Sequence, residues 1–311
     1  MAGAAVTVMT MSGRVQALNS RFAIPGVVFA EGTGELPVVD VENPHGRARV
    51  ALQGAHVLDW TPRGEEPVIW VSEAARFGPG LPIRGGIPIC WPWFGPHPTD
   101  PEQPQHGFAR TATWQVVAVE RLADDRTRLT FRLPDGQGGP AWPHELELLY
   151  MVTVGRTLEL DLVTRNAGEA PVTIGQALHT YFRVGDPAEV AVYGLEGCRY
   201  LDKLTGSEGV QDRRLIPGGP IDRVYLGAVR DCVIEDPTLG RAIRVSKRNS
   251  EATVVWNPGF FAPGPVRGDF GPSGSRNMLC LETANAAEDV VRLEPHAVHL
   301  LFTRYAVGPI G

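Results

Sequence analysis

Leucine alternates with polar residues on both sides of the turn-like Val154-Gly155-Arg156, as Leu146 and Leu148 before it and Leu158, Leu160 and Leu162 after it. A period of two places all five side chains on one face of a pleated ribbon, and that face has to be covered by a second layer. Residues 145–166 therefore read as a hairpin with one buried face. Residues 113–133 read as another, with Trp114–Leu122 and Thr127–Leu133 flanking Ala123-Asp124-Asp125, and further strand-like runs stand at 47–60, 172–182, 241–245, 253–256 and 298–307. Helical periodicity is nearly absent, and 36 glycines and 27 prolines break the chain too often for long helices. The pattern predicts an all-β sandwich or barrel. No composition break, linker or fixed-period repeat divides residues 1–311, so one domain is expected.

Charge and composition narrow the function. Twenty-nine Lys+Arg against 35 Asp+Glu give a net charge of −6, which supplies no cationic field for nucleic acid or anionic lipid. No run approaches the roughly 18 apolar residues of a spanning helix, and residues 1–22 have neither a basic start nor a clear cleavage pattern, so a cytoplasmic protein is expected. Cys90, Cys198, Cys232 and Cys280 form no CxxC pair and read as buried, reduced thiols. Walker, GxGxxG, GxSxG and HExxH motifs are absent, which removes the usual signals of nucleotide binding, serine hydrolysis and zinc proteolysis. His296 and His299 fall on opposite faces of a strand, poor geometry for a metal, and His45, His56, His97 and His144 read as surface or hydrogen-bonded structural residues.

Candidate chemistry sits in one long loop and two strands. Residues 76–110 carry Trp91, Trp93 and Phe94 within four positions, together with Arg84, His106 and Arg110. Two readings stand for these aromatics: plugs for one end of a sandwich, or a platform for the apolar face of a sugar ring. His179 lies in the strand-like Ala177-Leu178-His179-Thr180-Tyr181-Phe182, and Glu282 interrupts Met278-Leu279-Cys280-Leu281-Glu282-Thr283. A titratable group in such a run is either paired within the core or working, and an imidazole and a carboxylate converging on one cavity would make an acid and base pair.

Seven segments, in order, carry a family resemblance: Arg84-Gly-Gly-Ile-Pro88, Cys90-Trp-Pro-Trp-Phe-Gly95, His106-Gly-Phe-Ala-Arg110, Leu178-His-Thr-Tyr-Phe182, Asp222-Arg-Val-Tyr225, Val255-Trp-Asn-Pro258 and Cys280-Leu-Glu-Thr-Ala-Asn285. Over about residues 20–308 the chain resembles the D-hexose-6-phosphate mutarotases, glucose-6-phosphate 1-epimerase-like members of the aldose 1-epimerase superfamily. The resemblance implies a large antiparallel β-sandwich of the galactose mutarotase-like kind with a concave sugar-binding face, a monomer, and neither metal nor cofactor. It implies that His179 is the general acid at the ring oxygen and Glu282 the general base at the anomeric hydroxyl. By the same resemblance His106 and Asp222 bind and orient the sugar, and Arg84 and Arg110 belong to the binding face, where they are candidates for a phosphate. For both arginines the competing reading is a structural tie to backbone carbonyls or a carboxylate; Lys203 and Arg267 are the next candidates. The chain departs from the family at 259–269 and 271–276. The alternatives in other classes are a non-catalytic sugar-phosphate binding protein on the same fold, and a glycoside hydrolase using Asp222 with Glu282.

Overall fold

The computed structural model describes residues 10–22, 24–138, 142, 144–259, 268–271 and 274–311. Arg267 and the greater part of the departure at 259–269 lie outside these residues, as do residues 272–273 of the second departure.

Two eight-stranded antiparallel sheets dominate. The back sheet runs Ala191–Tyr193, Cys232–Asp236, Arg241–Arg248, Val298–Gly308, Thr157–Asn166, Leu146–Val154, Thr127–Arg132 and Gln115–Arg121. Both expected hairpins are there: Leu146–Val154 pairs with Thr157–Asn166, and Gln115–Arg121 with Thr127–Arg132. The front sheet runs Ser207–Val210, Arg199–Asp202, Ile221–Leu226, Ala252–Asn257, Met278–Asn285, Gln176–Leu178 and Ile89–Cys90, with Tyr181–Arg183 also paired to Met278–Asn285. A four-stranded meander precedes them: Val27–Glu31, Pro37–Asn43, Gly46–Ala51 and His56–Pro62.

Three sequence expectations need correction. The run 47–60 is two strands, because the chain turns between Ala51 and His56 through Gly54 and Ala55, both at positive φ (72° and 43°). The run 172–182 is three short strands in two different sheets, Val172–Ile174, Gln176–Leu178 and Tyr181–Arg183. A helix forms at Met11–Phe22, though none of its residues is buried. Its apolar stripe is limited to Val15, Leu18 and Phe22, and Asn19 docks it by bonding both the N–H (2.9 Å) and the carbonyl (2.8 Å) of Phe29. That capture of a strand edge by one amide is a tertiary interaction, which helical periodicity does not report.

Register decides what the front sheet shows on each face. Leu279 and Leu281 point into the sandwich with Tyr225, Val255 and Phe182, against Leu158, Leu160, Leu162, Tyr150 and Tyr305 of the back sheet. Alternate residues of the same strands fall on the other face, where the Cα partners are Glu282 with Val254 and Cys280 with Trp256, and Trp256 in turn with Asp222. Around them Ala177, Ala252, Ala284 and Val224 form a cluster of short side chains. Burial at every position of Met278–Asn285 thus follows from a strand covered on both faces.

Candidate active site

Arg84 is delivered by two glycines that no other residue could replace. Gly85 and Gly86 have φ of 106° and 71°; a Cβ on Gly85 would lie 2.5 Å from the Val71 Cα, and one on Gly86 would strike the His56 ring. The buried His56 donates from Nε2 to the Gly85 carbonyl at 2.8 Å and so holds this segment in place. Arg84 then bonds the Tyr181 hydroxyl (3.0 Å) and Asp269 (3.1 Å) and stacks over Phe270.

The aromatics of the long loop divide between the two readings. Trp91 is buried and bonds Thr164 of the back sheet at 3.1 Å, and Trp93 is buried with its indole N–H on the Pro104 carbonyl at 2.9 Å, so both plug. Phe94 faces the cavity described below, with the Lys203 ammonium 5.0 Å from its ring centroid. His106 is locked by its own backbone, its N–H donating to the Gly95 carbonyl at 2.7 Å and its carbonyl accepting from Trp91 at 3.2 Å. The Gly95 N–H donates to His106 Nδ1 at 3.2 Å, which fixes the tautomer and leaves Nε2–H as the ring's donor.

His179 falls at the break between Gln176–Leu178 and Tyr181–Arg183, with its N–H on the Pro88 carbonyl at 3.0 Å. Thr180 shapes that break. Its hydroxyl lies 2.5 Å from the Tyr305 hydroxyl, which reaches across from the back sheet, and its carbonyl accepts the Leu281 N–H at 3.3 Å, next to Glu282. The His179 ring stacks on Tyr181 at 4.8 Å with 10° between planes. His179 Nε2 stands 3.4 Å from Glu282 Oε1, both side chains buried, while His179 Nδ1 and Glu282 Oε2 have no hydrogen-bond partner.

A cavity of about 270 Å³ brings Arg84, His106, His179, Asp222 and Glu282 together, with Phe94, Gln105, Lys203 and Trp256 also on its wall. Arg110 is not among the lining residues; its Nη2 donates to the Gln105 carbonyl at 2.8 Å. Gln105 carries no local signal of its role, Trp256 stands in the motif segment Val255-Trp-Asn-Pro258 without having been assigned one, and Lys203 follows the strand Arg199–Asp202 in a turn that pairing with Ile221–Leu226 brings to the site. The histidines set aside in the sequence have separate partners: His45 bonds the Asp124 carbonyl, His299 bonds Asn285, and His296 lies 3.6 Å from Glu169.

Burial governs the electrostatics. It pushes His179 well below the ordinary imidazole range, with the neighbouring His106 ring and the Arg110 and Arg84 charges acting in the same direction, and pushes Glu282 well above the carboxylate range, with Lys203 opposing and Asp222 adding. His106 is lowered to about 3 by burial and by Arg110, Lys203 and Arg84, so it is neutral at pH 7. Asp222 is raised, again chiefly by burial. Both shifts favour the uncharged forms, a carboxylic acid at Glu282 and a neutral imidazole at His179.

Thr180→Val tests the tie behind the pair. Losing a buried hydroxyl partner of Tyr305 is expected to cost about 1–3 kcal/mol of stability and, by loosening His179, to slow turnover roughly tenfold, while Thr180→Ser changes neither. Thermal unfolding and catalytic rate measure both, and an unchanged rate in a destabilised Thr180→Val would detach this bond from the placement of His179.

Residues 37–306 match the family described as Aldose 1-epimerase. The chain belongs to the aldose 1-epimerase family. It is 41% identical over 277 residues to a protein of Escherichia coli (strain K12) named "Putative glucose-6-phosphate 1-epimerase", a match covering 86% of this chain and 89% of that one. A protein of Salmonella typhimurium bearing the same name is 40% identical over 278 residues, covering 86% and 92%. Among solved structures, that of a "putative mutarotase" from Salmonella typhimurium superposes with a TM-score of 0.85 at 36% identity, covering 93% of this chain and 95% of the other. The all-β sandwich of the family is thus the fold of this aldose 1-epimerase family member, whose cavity with His179 and Glu282 lies on the outer face of the front sheet.

Proposed function

We propose that the protein is a mutarotase that interconverts the α and β anomers of a hexose 6-phosphate, glucose 6-phosphate in the first instance. The observation that carries the reading is His179 Nε2 at 3.4 Å from Glu282 in a cavity of sugar size, lined by hydroxyl-binding and cationic side chains. The names of relatives about 40% identical over most of the chain support the reaction and its phosphorylated substrate. Ring opening takes the proton from the C1 hydroxyl and delivers one to the ring oxygen; rotation about C1–C2 and closure with the transfers reversed give the other anomer. With Glu282 at the hydroxyl and His179 at the ring oxygen, opening consumes the carboxylate and imidazolium and leaves the carboxylic acid and neutral imidazole. Closure consumes that second form. The pair thus opens the ring as carboxylate and imidazolium and closes it as carboxylic acid and imidazole, one proton passing between the two residues over the cycle. His106 donates from Nε2–H to a sugar hydroxyl, Asp222 accepts from another, and Phe94 and Trp256 offer apolar faces to the ring. A binding protein would have no use for two buried proton carriers in contact.

Freshly dissolved α-glucose 6-phosphate and α-glucose, followed by NMR against the spontaneous rate, test the activity and the role of the phosphate together. Anomer equilibration no faster than the blank with either sugar would refute the reading. Because both forms of the pair carry one proton, kcat/KM depends on that proton being present. Loss on the alkaline side waits for Glu282, whose pKa is raised, and gain of a second proton on the acid side waits for His179, whose pKa is lowered. The profile should stay flat through pH 6.5; an alkaline fall centred near the ordinary imidazole value of 6.5 would show that His179 titrates as a free side chain. No step in the cycle calls for a metal, so EDTA is expected to leave the rate undiminished. Recovery of an EDTA-inhibited enzyme on adding one metal would overturn the mechanism.

We also place the protein in the cytoplasm as a monomeric single domain. The single-domain reading is supported by a hydrophobic cluster that joins Val27 to Tyr305.

A further inference from the structure

Cys280 belongs neither to the proton-transfer pair nor to the cavity wall, yet it shares a face of Met278–Asn285 with Glu282, two residues along. One ligand atom each from His179, Cys280 and Glu282 lie within 4.8 Å of one another, with Cys280 and Glu282 buried and the His179 side chain 11% exposed toward the cavity. Glu282 Oε2 has no hydrogen-bond partner there. Imidazole nitrogen, thiolate sulfur and carboxylate oxygen are the donor types that zinc takes, and three protein ligands beside an open cavity leave a fourth position for water. Zinc bonds of about 2.0–2.3 Å set donors roughly 3.3–3.8 Å apart, so the widest pair of the triad has to contract by about 1–1.5 Å, within reach of side-chain rotation.

We propose that His179, Cys280 and Glu282 form an inhibitory site for a thiophilic divalent cation of the zinc class, which binds in place of the sugar. The donor set selects against magnesium and calcium, which seek several oxygens. A thiolate and a carboxylate together cancel the charge of the ion, as so buried a position requires. Coordination expels the thiol and carboxyl protons to solvent and occupies the imidazole lone pair, leaving neither carrier able to move a proton. The inhibitory consequence rests on the mutarotase reading; the binding site itself does not. A competing donor set exists in the same cavity, since the His106 ring is 5.8 Å from that of His179.

The test uses the full chain, with cobalt(II) as the spectroscopic probe and zinc by calorimetry, on the parent, Cys280→Ser and Cys280→Ala. The expected result is one ion per chain and a thiolate-to-cobalt charge-transfer band in the near ultraviolet, lost in both variants. Zinc should bind the variants roughly 100-fold more weakly, at least the loss seen when an outer partner of a ligand is removed. In anomer exchange, zinc should compete with sugar phosphate in the parent and a chelator should relieve it. Both variants should turn over at the parent rate without metal and resist zinc by the same factor. A folded parent without the band, or zinc binding unchanged in whichever Cys280 variant folds, would overturn the site and point to His106 instead. A band that disappears with Cys280 in a protein that does not accelerate anomer exchange would uphold the metal site and refute the mutarotase.

Discussion

His179→Asn and Glu282→Gln are each expected to lower kcat by about 10²- to 10⁴-fold, the usual contribution of a positioned acid or base, with KM changed little. Each replacement keeps the shape of the side chain and removes its ability to exchange a proton. The backbone around them is held independently, by the His179 N–H on Pro88 and by the pairing of Glu282 with Val254, so the fold should persist. Gln keeps the size and shape of the uncharged carboxyl form that burial favours, and a large loss of activity without a loss of stability is the signature to look for. The two residues hand one proton back and forth, and the double variant should therefore be scarcely slower than either single one. A folded variant that equilibrates anomers at the parent rate would remove that residue from the mechanism, and additive losses would show that the two act separately.

Strand pairing was legible wherever one strand face is polar. The alternation of Leu158, Leu160 and Leu162 with Glu159 and Asp161 marks the back sheet, because one side of that sheet meets water. Met278–Asn285 offers no such alternation, being buried on both faces, and only the odd presence of Glu282 in it drew notice. His179 was found for the same reason, a titratable group in an apolar run, although the reading of one continuous strand hid the break that aims it. That break is closed locally by the Thr180 N–H and hydroxyl, which both donate to the Leu178 carbonyl, and is tied to the back sheet by Tyr305, 125 residues from Thr180. Lys203 and Trp256 reach the cavity through the pairing of Arg199–Asp202, Ile221–Leu226 and Ala252–Asn257, whose order in the sheet differs from their order in the chain. The motif resemblance supplied the convergence of acid and base that residue chemistry alone left open.

The phosphate separates Arg84 and Arg110, the first candidates of the sequence, from Lys203, one of the next. Arg110 is turned to the Gln105 carbonyl, outside the cavity wall. Arg84 lines the cavity and is engaged with Asp269 and Tyr181, which is the structural tie foreseen for it; we propose that it also meets the phosphate. Lys203 lines the cavity over Phe94, and among the described residues no carboxylate lies within salt-bridge distance of it. A hydrogen bond to a charged group is worth about 1.5–3 kcal/mol, or roughly ten- to a hundred-fold in affinity. Lys203→Met is therefore expected to raise KM for glucose 6-phosphate by about that factor and to leave KM for glucose nearly unchanged. Arg84→Met should raise it similarly and also lower the melting temperature, because Asp269 and Tyr181 lose their partner. Arg110→Met should alter either KM less than twofold. Salt sharpens the distinction, since screening weakens the attraction of a charged substrate and leaves a neutral one alone. In the parent, KM for glucose 6-phosphate should rise with ionic strength, and in Lys203→Met that slope should flatten. Equal losses for both sugars in the Lys203 and Arg84 variants, with KM independent of salt, would mean that neither cation meets the phosphate and that the cavity is built for the unphosphorylated ring.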